Sequence, residues 1–219
     1  MIELNKLQIS KAAVQRMPDY LKYLRDLQSK GIKYISSVSL GETMGLSGAV
    51  VKKDLSHAIV SEGKPKRGYS VSELINDIEK FLGYDMENSA VVAGIGHMGR
   101  ALLSYSGFMN YGINIEAGFD TDPKIIGSKV NGKMIFPLGK MEDLIKRLGV
   151  KMGIITVPRE NAQEVADIMV KAGIRAIWNF APSYIIVPEN VILKNEDIAA
   201  SLAVLSNKLK KISESEIEE

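Results

Sequence analysis

Six consecutive residues constrain this chain more than any others: Gly94-Ile95-Gly96-His97-Met98-Gly99. The apolar run Ser89-Ala90-Val91-Val92-Ala93 precedes them, and Arg100-Ala101-Leu102-Leu103-Ser104-Tyr105 follows as a helical stretch. Strand, glycine-rich turn and helix in that order are the opening of a dinucleotide-binding βαβ unit. Gly94 lets the chain turn sharply off the strand, Gly96 lets a pyrophosphate approach bare backbone, and Gly99 lets the helix pack close to the strand. The helix N-terminus then offers unbonded N–H groups and a partial positive charge to the phosphates. A second apolar run, Ile113–Phe119, ends in Asp120, 21 residues beyond Gly99. That is the spacing of the acid that binds an adenosine ribose. Asp120 and Asp122 carry the wrong charge for a 2′-phosphate, so the pattern favours NAD. The competing reading is a βα turn with another ligand, such as coenzyme A, or with none.

Composition narrows the classes. A chain of 219 residues accommodates one or two domains. With no Cys, disulfides, thiolate catalysis and Cys-type zinc sites are excluded, and His57 and His97 are too few for most His-built metal sites. No apolar run is long enough to span a membrane and no signal-peptide pattern is visible, so a cytoplasmic protein without metal or membrane partner is expected. Charge is uneven: the net +2 divides into +4 over residues 1–83 and −2 over the rest. The front part is thus permissive for nucleic acid.

The front part carries a helix-turn-helix pattern. Ser10 caps a short helix over Lys11–Arg16. Met17-Pro18-Asp19 reads as a restart with Pro in the first turn, and the next helix ends at Gly31. Ile32–Ile35 is β-like. Ser36-Ser37 caps a helix over Val38–Met44, Gly45-Leu46-Ser47 is a tight turn, and Ser47 caps Gly48–His57. Lys52, Lys53 and Ser56 fall off the apolar face of that second helix, with Ser47 and Gly48 at its groove-entering end. Ala58-Ile59-Val60 and Tyr69-Ser70-Val71 are expected to pair as a hairpin whose tip, residues 61–68, holds Lys64, Lys66 and Arg67. A basic hairpin after a recognition helix is the layout of a winged helix, with the tip suited to phosphates. Ser72 caps a linker helix over Glu73–Leu82. A small helical bundle with solvated lysines is the bland alternative.

In the back part, strands at Lys133–Phe136, Lys151–Val157 and Ile174–Trp178 alternate with helices at Met141–Leu148 and Glu160–Ala172. A parallel doubly wound sheet is expected. Its carboxyl edge would gather Gly94–Gly99, Asp120, Thr156-Val157-Pro158 and Asn179-Phe180 round one crevice. In the last helix Ile198, Leu202, Leu205, Leu209 and Ile212 step by four, three, four and three, an a/d seam fit for a second subunit. Residues 213–219 form an acidic tail.

Taken together, these features resemble the Rex family of redox-sensing transcriptional repressors. The resemblance covers about residues 10–212. It is carried by Arg16-Met17-Pro18-Asp19-Tyr20-Leu21, Ile35-Ser36-Ser37, Val51-Lys52-Lys53-Asp54-Leu55-Ser56, Arg67-Gly68-Tyr69 and the glycine turn running into Arg100-Ala101-Leu102. Further on come Gly118-Phe119-Asp120-x-Asp122-Pro123, Val157-Pro158 with Ala162-Gln163, Ala172-Gly173-Ile174 and Asn179-Phe180-Ala181-Pro182. It implies an α/β chain with a winged-helix DNA-binding domain (1–84), a Rossmann-like NAD(H) domain (85–195) and a helix (196–212) swapped in a homodimer. It also implies operator double-stranded DNA as partner and NADH/NAD⁺ as effector rather than redox substrate. Tyr105 and Asp197 match a Tyr and an Asp that communicate across the dimer, with Lys22 grouped beside them, and Ile198 stands where the family often places Phe on the nicotinamide. His57-Ala58-Ile59 replaces the usual Tyr-Phe-Gly, and His97-Met98 the common Asn-Leu. Two other functions remain open: a DNA-binding regulator with an altered or absent nicotinamide response, and a small NAD-dependent oxidoreductase.

Overall fold

The computed structural model describes residues 9–60, 63, 64, 67–86 and 88–217, with side chains of the last helix given to Lys210 apart from residues 201 and 208. The chain divides into two compact units after Met86.

The first unit is built on α1 (Lys11–Ser29), whose N-cap Ser10 accepts the Ala13 N–H at 3.1 Å. The sequence predicts a break at Met17-Pro18-Asp19; instead α1 runs straight through Pro18. Proline removes one intrahelical hydrogen bond and crowds the preceding turn. Met17, Tyr20, Leu21 and Leu24, on both sides of it, are all buried in one core, and that shared face holds the helix together. Helices α2 (Ser37–Met44) and α3 (Gly48–Ala58) follow, capped by Ser36 and Ser47. Gly45 between them adopts φ +64°, a left-handed turn that a Cβ disfavours. A Cβ on Gly48 would meet Val38 Cγ2 at 2.9 Å, so the two helices cross at backbone contact. The linker helix α4 (Val71–Leu82) is capped by Ser70 and not by Ser72, which already lies in its first turn.

The expected wing hairpin is also corrected. Ala58 completes α3, and the Val60 N–H bonds the Asp77 carboxylate at 3.1 Å instead of a strand. The strand β2 (Tyr69–Ser70) pairs antiparallel with β1 (Tyr34–Ile35), Tyr34 opposite Ser70. Gly68, at φ +78°, makes this possible, because a Cβ there would overlap the Ile35 carbonyl. A single bridge, Lys64 to Gly68, closes the wing. Of the predicted tip, Ser61, Glu62, Pro65 and Lys66 lie outside the described residues.

The second unit is a seven-stranded sheet. In chain order its strands are β3 (Asn88–Ala93), β4 (Ile113–Asp120), β5 (Lys129–Val130), β6 (Lys133–Pro137), β7 (Met152–Ile155), β8 (Ala176–Asn179) and β9 (Ile192–Asn195). The spatial order is β5-β6-β4-β3-β7-β8-β9, all parallel except the β5–β6 pair. Thus β3 has β4 on one side and β7 on the other, and the chain reverses direction of travel across the sheet there. Strand residues alternate between faces. Val91, Ala93, Phe119 and Ile155 pack under α6 (Met141–Leu148) and α7 (Ala162–Ala172), whereas Ala90, Val92, Ile115 and Ile154 pack with Leu103 of α5 (His97–Ser104). The chain ends in α8 (Ile198–Ile217). Among the described residues no helix is long and apolar enough to cross a membrane.

Candidate functional site

The glycine turn lies at the carboxyl end of β3, at the switch point where ligands bind in open α/β sheets. Gly94 takes φ +89°, and a Cβ on it would sit 2.8 Å from the Thr156 carbonyl. A Cβ on Gly99 would overlap the Gly94 carbonyl, so helix and turn are in backbone contact. Above Gly96, by contrast, there is nothing within 4 Å of a Cβ position. That open face is what a pyrophosphate needs, and no side chain caps the α5 N-terminus beside it. Ile95 points into the core against Gly118, so only its backbone serves the site; His97 and Met98 are exposed.

Asp120 ends β4 beside this turn. Its Oδ2 accepts the Ile95 N–H at 2.5 Å, and its Oδ1 accepts the N–H groups of Thr121 and Asp122 at 2.7 and 2.9 Å. A carboxylate has roughly four acceptor positions, so about one remains for a ribose hydroxyl. Thr156, from the end of β7, donates its hydroxyl to Gly94 O at 2.6 Å and lies 3.1 Å from Ala93 O. Its side chain therefore holds the turn in shape. Val157 is half-buried and Pro158 exposed next to it. Ile198 lines a cavity with Arg159, Phe180 and Asp197, and Asp197 caps α8 through the Ala200 N–H at 2.8 Å. Tyr105 is exposed at the end of α5, its ring edge-on to Phe108 at 5.0 Å.

In the first unit α3 presents Lys52, Lys53 and Ser56 outward, and Val51, Asp54 and Leu55 inward. The Ser47 and Ser56 hydroxyls are engaged in the helix, with the Val50 N–H at 3.3 Å and Lys53 O at 2.7 Å respectively. Arg67 lies over the Tyr34 ring at 5.8 Å, which fixes the base of the wing. Lys64 is exposed on the wing and Lys22 on α1.

One functional group escaped sequence reasoning. Asp54, buried in α3, receives both Arg16 Nε and Nη2, at 2.7 and 2.8 Å, and the Tyr20 hydroxyl at 2.8 Å. This bidentate clamp ties the outward-facing helix to α1. Burial pushes the Asp54 carboxyl up, but the hydrogen bonds from Arg16 and Tyr20, with Arg16's charge, more than reverse it and leave it lowered. Burial and the bond to Asp54 push the Tyr20 hydroxyl up to about 12, and the same carboxylate raises Arg16. Since Asp54 is lowered, its contribution to stability is complete above the ordinary carboxylate value of about 4 and is lost as pH falls through the folded value. Asp54→Asn is expected to cost about 2 kcal/mol, less than a fully buried pair because Arg16 is partly solvated. Urea unfolding of both proteins checks this, and the difference should shrink below pH ~4.

The comparisons with known proteins bear on both units. A model described as "CoA binding domain" matches residues 85–183, and one described as "Putative DNA-binding protein N-terminus" matches residues 8–56. A redox-sensing transcriptional repressor Rex of Clostridium beijerinckii is 40% identical over 90% of this chain and 93% of its own length. The chain belongs to the Rex family. Solved Rex-family structures agree with the fold. The repressor RSP in complex with β-NAD⁺ and operator DNA is 36% identical, with a TM-score of 0.88 over 95% of both chains. RSP with β-NADH is 34% identical, with a TM-score of 0.86 over 98% of this chain and 100% of that one. Rex relatives are named as transcriptional repressors and not as enzymes.

Proposed function

We propose that this protein represses transcription by binding operator DNA through its first unit and releases that DNA when NADH occupies its second. The observation that carries the reading is the pairing, on one chain, of an exposed Lys52/Lys53 helix face with an open phosphate-binding turn flanked by Asp120. Serine and lysine groups on α3 and the wing residues Lys64, Lys66 and Arg67 contact DNA. The turn with Asp120, Thr156, Val157 and Pro158 receives the dinucleotide. Residues 1–84 and 85–195 act as the DNA-binding and NAD(H)-binding domains, and residues 196–212 join two copies. The nicotinamide acts as an effector and is not consumed, in a cytoplasmic protein. Ile198 packs against the nicotinamide, and Tyr105, Asp197 and Lys22 couple the two events across the dimer.

The test selects an operator from a random-sequence duplex pool, then titrates NADH, NAD⁺ and coenzyme A into the complex. Release by NADH at concentrations where NAD⁺ releases less supports the reading, because an effector moves the equilibrium only by its differential affinity. Equal effects of the two nicotinamides overturn redox sensing. A response to coenzyme A alone moves the protein to the altered-effector class. Asp120→Ala should weaken NADH and NAD⁺ alike, by roughly tenfold to a hundredfold, since both carry the ribose whose hydrogen bond to a charged group is lost. Calorimetric titration with each nucleotide checks this, and a selective loss of one would contradict it.

A further inference from the structure

A cavity of about 380 Å³ opens between α1 and α3 on the flank of the DNA-reading helix. Ser10 and Arg16 line it from α1, and Val50, Lys53, Asp54 and His57 from α3. Positions 53 and 57 are one helical turn apart and form a stripe adjacent to the Lys52–Ser56 stripe. Arg16 and Asp54 neutralise each other through two short hydrogen bonds, and Tyr20 takes a further acceptor position on Asp54. Among the described residues neither Lys53 nor His57 forms a salt bridge within 4 Å, although His57 lies close enough to the Asp54 carboxylate to help hold it lowered. The cavity wall is thus cationic by Lys53 alone when His57 is neutral, and doubly so when it is protonated. Asp77, of α4, is the other acid near the end of α3, and it receives the Val60 N–H one turn beyond His57.

A helix with its side chains is about 10–12 Å across, and the major groove is about 12 Å wide. When the Lys52–Ser56 stripe faces the bases, the adjoining stripe meets the phosphates on one rim. We infer that the cavity between α1 and α3 is a seat for a backbone phosphate of the bound duplex, held by Lys53 and by His57, and that His57 makes the grip on DNA tighten as pH falls. Histidine is the side chain whose charge changes across neutral pH, and a proton taken up on binding strengthens binding wherever it is available. The inference rests on the DNA-binding reading above and adds to it a contact and a regulation.

The experiment uses the untagged full chain and a labelled random-sequence duplex about two helical turns long. Sequence is irrelevant to a phosphate contact, so no operator is required. Affinity is measured against salt at about pH 8 and about pH 5.5, across the range in which histidine gains its charge. For the wild type, binding should tighten by roughly threefold to fivefold at the lower pH. The log–log salt slope should steepen by about 0.9, one phosphate contact. His57→Gln should remove both changes, and His57→Lys should show the low-pH slope at both values. Tightening that persists in His57→Gln overturns the proposal, as does a wild type that binds the duplex with no dependence on pH. Failure to bind any duplex at either pH would instead overturn the DNA-binding reading, and the seat with it.

Discussion

Replacing Lys52 and Lys53 together by alanine should abolish operator binding and leave the fold untouched. Both side chains are exposed on α3, whereas the contacts that hold this helix belong to Val51, Asp54, Leu55 and Ala58. Alanine is also the best helix former, so α3 itself gains if anything. The loss falls on DNA alone. Two cations withdrawn from the groove and its rim remove up to two phosphate contacts, about 1.8 in salt slope, or a base-edge contact worth roughly 1–3 kcal/mol. Together these amount to on the order of a hundredfold to a thousandfold in affinity. Gel retardation with the selected operator, alongside circular dichroism and urea unfolding, reads both arms. A double variant that retards DNA like the wild type would remove α3 from the interface.

Much of this organisation is legible along the chain because it depends on local chemistry. The glycine turn, the Ser36 and Ser47 caps and the α2–turn–α3 pattern each arise from residues close in sequence, and the structure carries each of them, while Asp120 is legible from its spacing to the turn although its bond to the Ile95 N–H spans 25 residues. What was not legible depends on distant partners. Pro18 reads as a helix start, and only the burial of Met17 and Tyr20 against α3 and α4 shows why the helix passes through it. The wing strand pairs with β1, which lies more than thirty residues earlier, and no local signal distinguishes that from a hairpin with Ala58–Val60. The Asp54 clamp joins residues 38 apart in the chain. Asp54 stands between two candidate DNA contacts and reads as one more polar residue until its burial is known. Strand β9 is a four-residue edge whose sequence, Ile192-Leu193-Lys194-Asn195, does not alternate apolar and polar residues, so it carries almost no signal of its own.

In the function proposed above a redox signal reaches DNA through a dimer, and α8 is where that proposal can be broken. Leu202, Leu205 and Leu209 are 64%, 56% and 64% exposed on a 20-residue helix. An apolar stripe of that length left in water marks an interface. Its steps of four and three are those of a narrow helix–helix seam rather than of a broad face against a sheet. Leu202→Glu with Leu205→Glu places two carboxylates on that seam. In a lone chain they are solvated at no cost, so neither unit should lose stability. In the dimer they must be buried without partners, which is strongly unfavourable. The variant is therefore expected to sediment as a monomer at concentrations where the wild type is a dimer. A dimer reads two half-sites about one helical turn apart, and the second contact gains from being tethered to the first. Loss of that tether should lower operator affinity by roughly a hundredfold to ten-thousandfold, with each first unit still folded. This separates α8 from α3: the Lys52/Lys53 variant stays dimeric and loses DNA, whereas the glutamate variant loses DNA because it is no longer dimeric. Analytical ultracentrifugation paired with the same retardation assay distinguishes them. A glutamate variant that remains a dimer with wild-type DNA affinity would show that the seam is not the subunit contact.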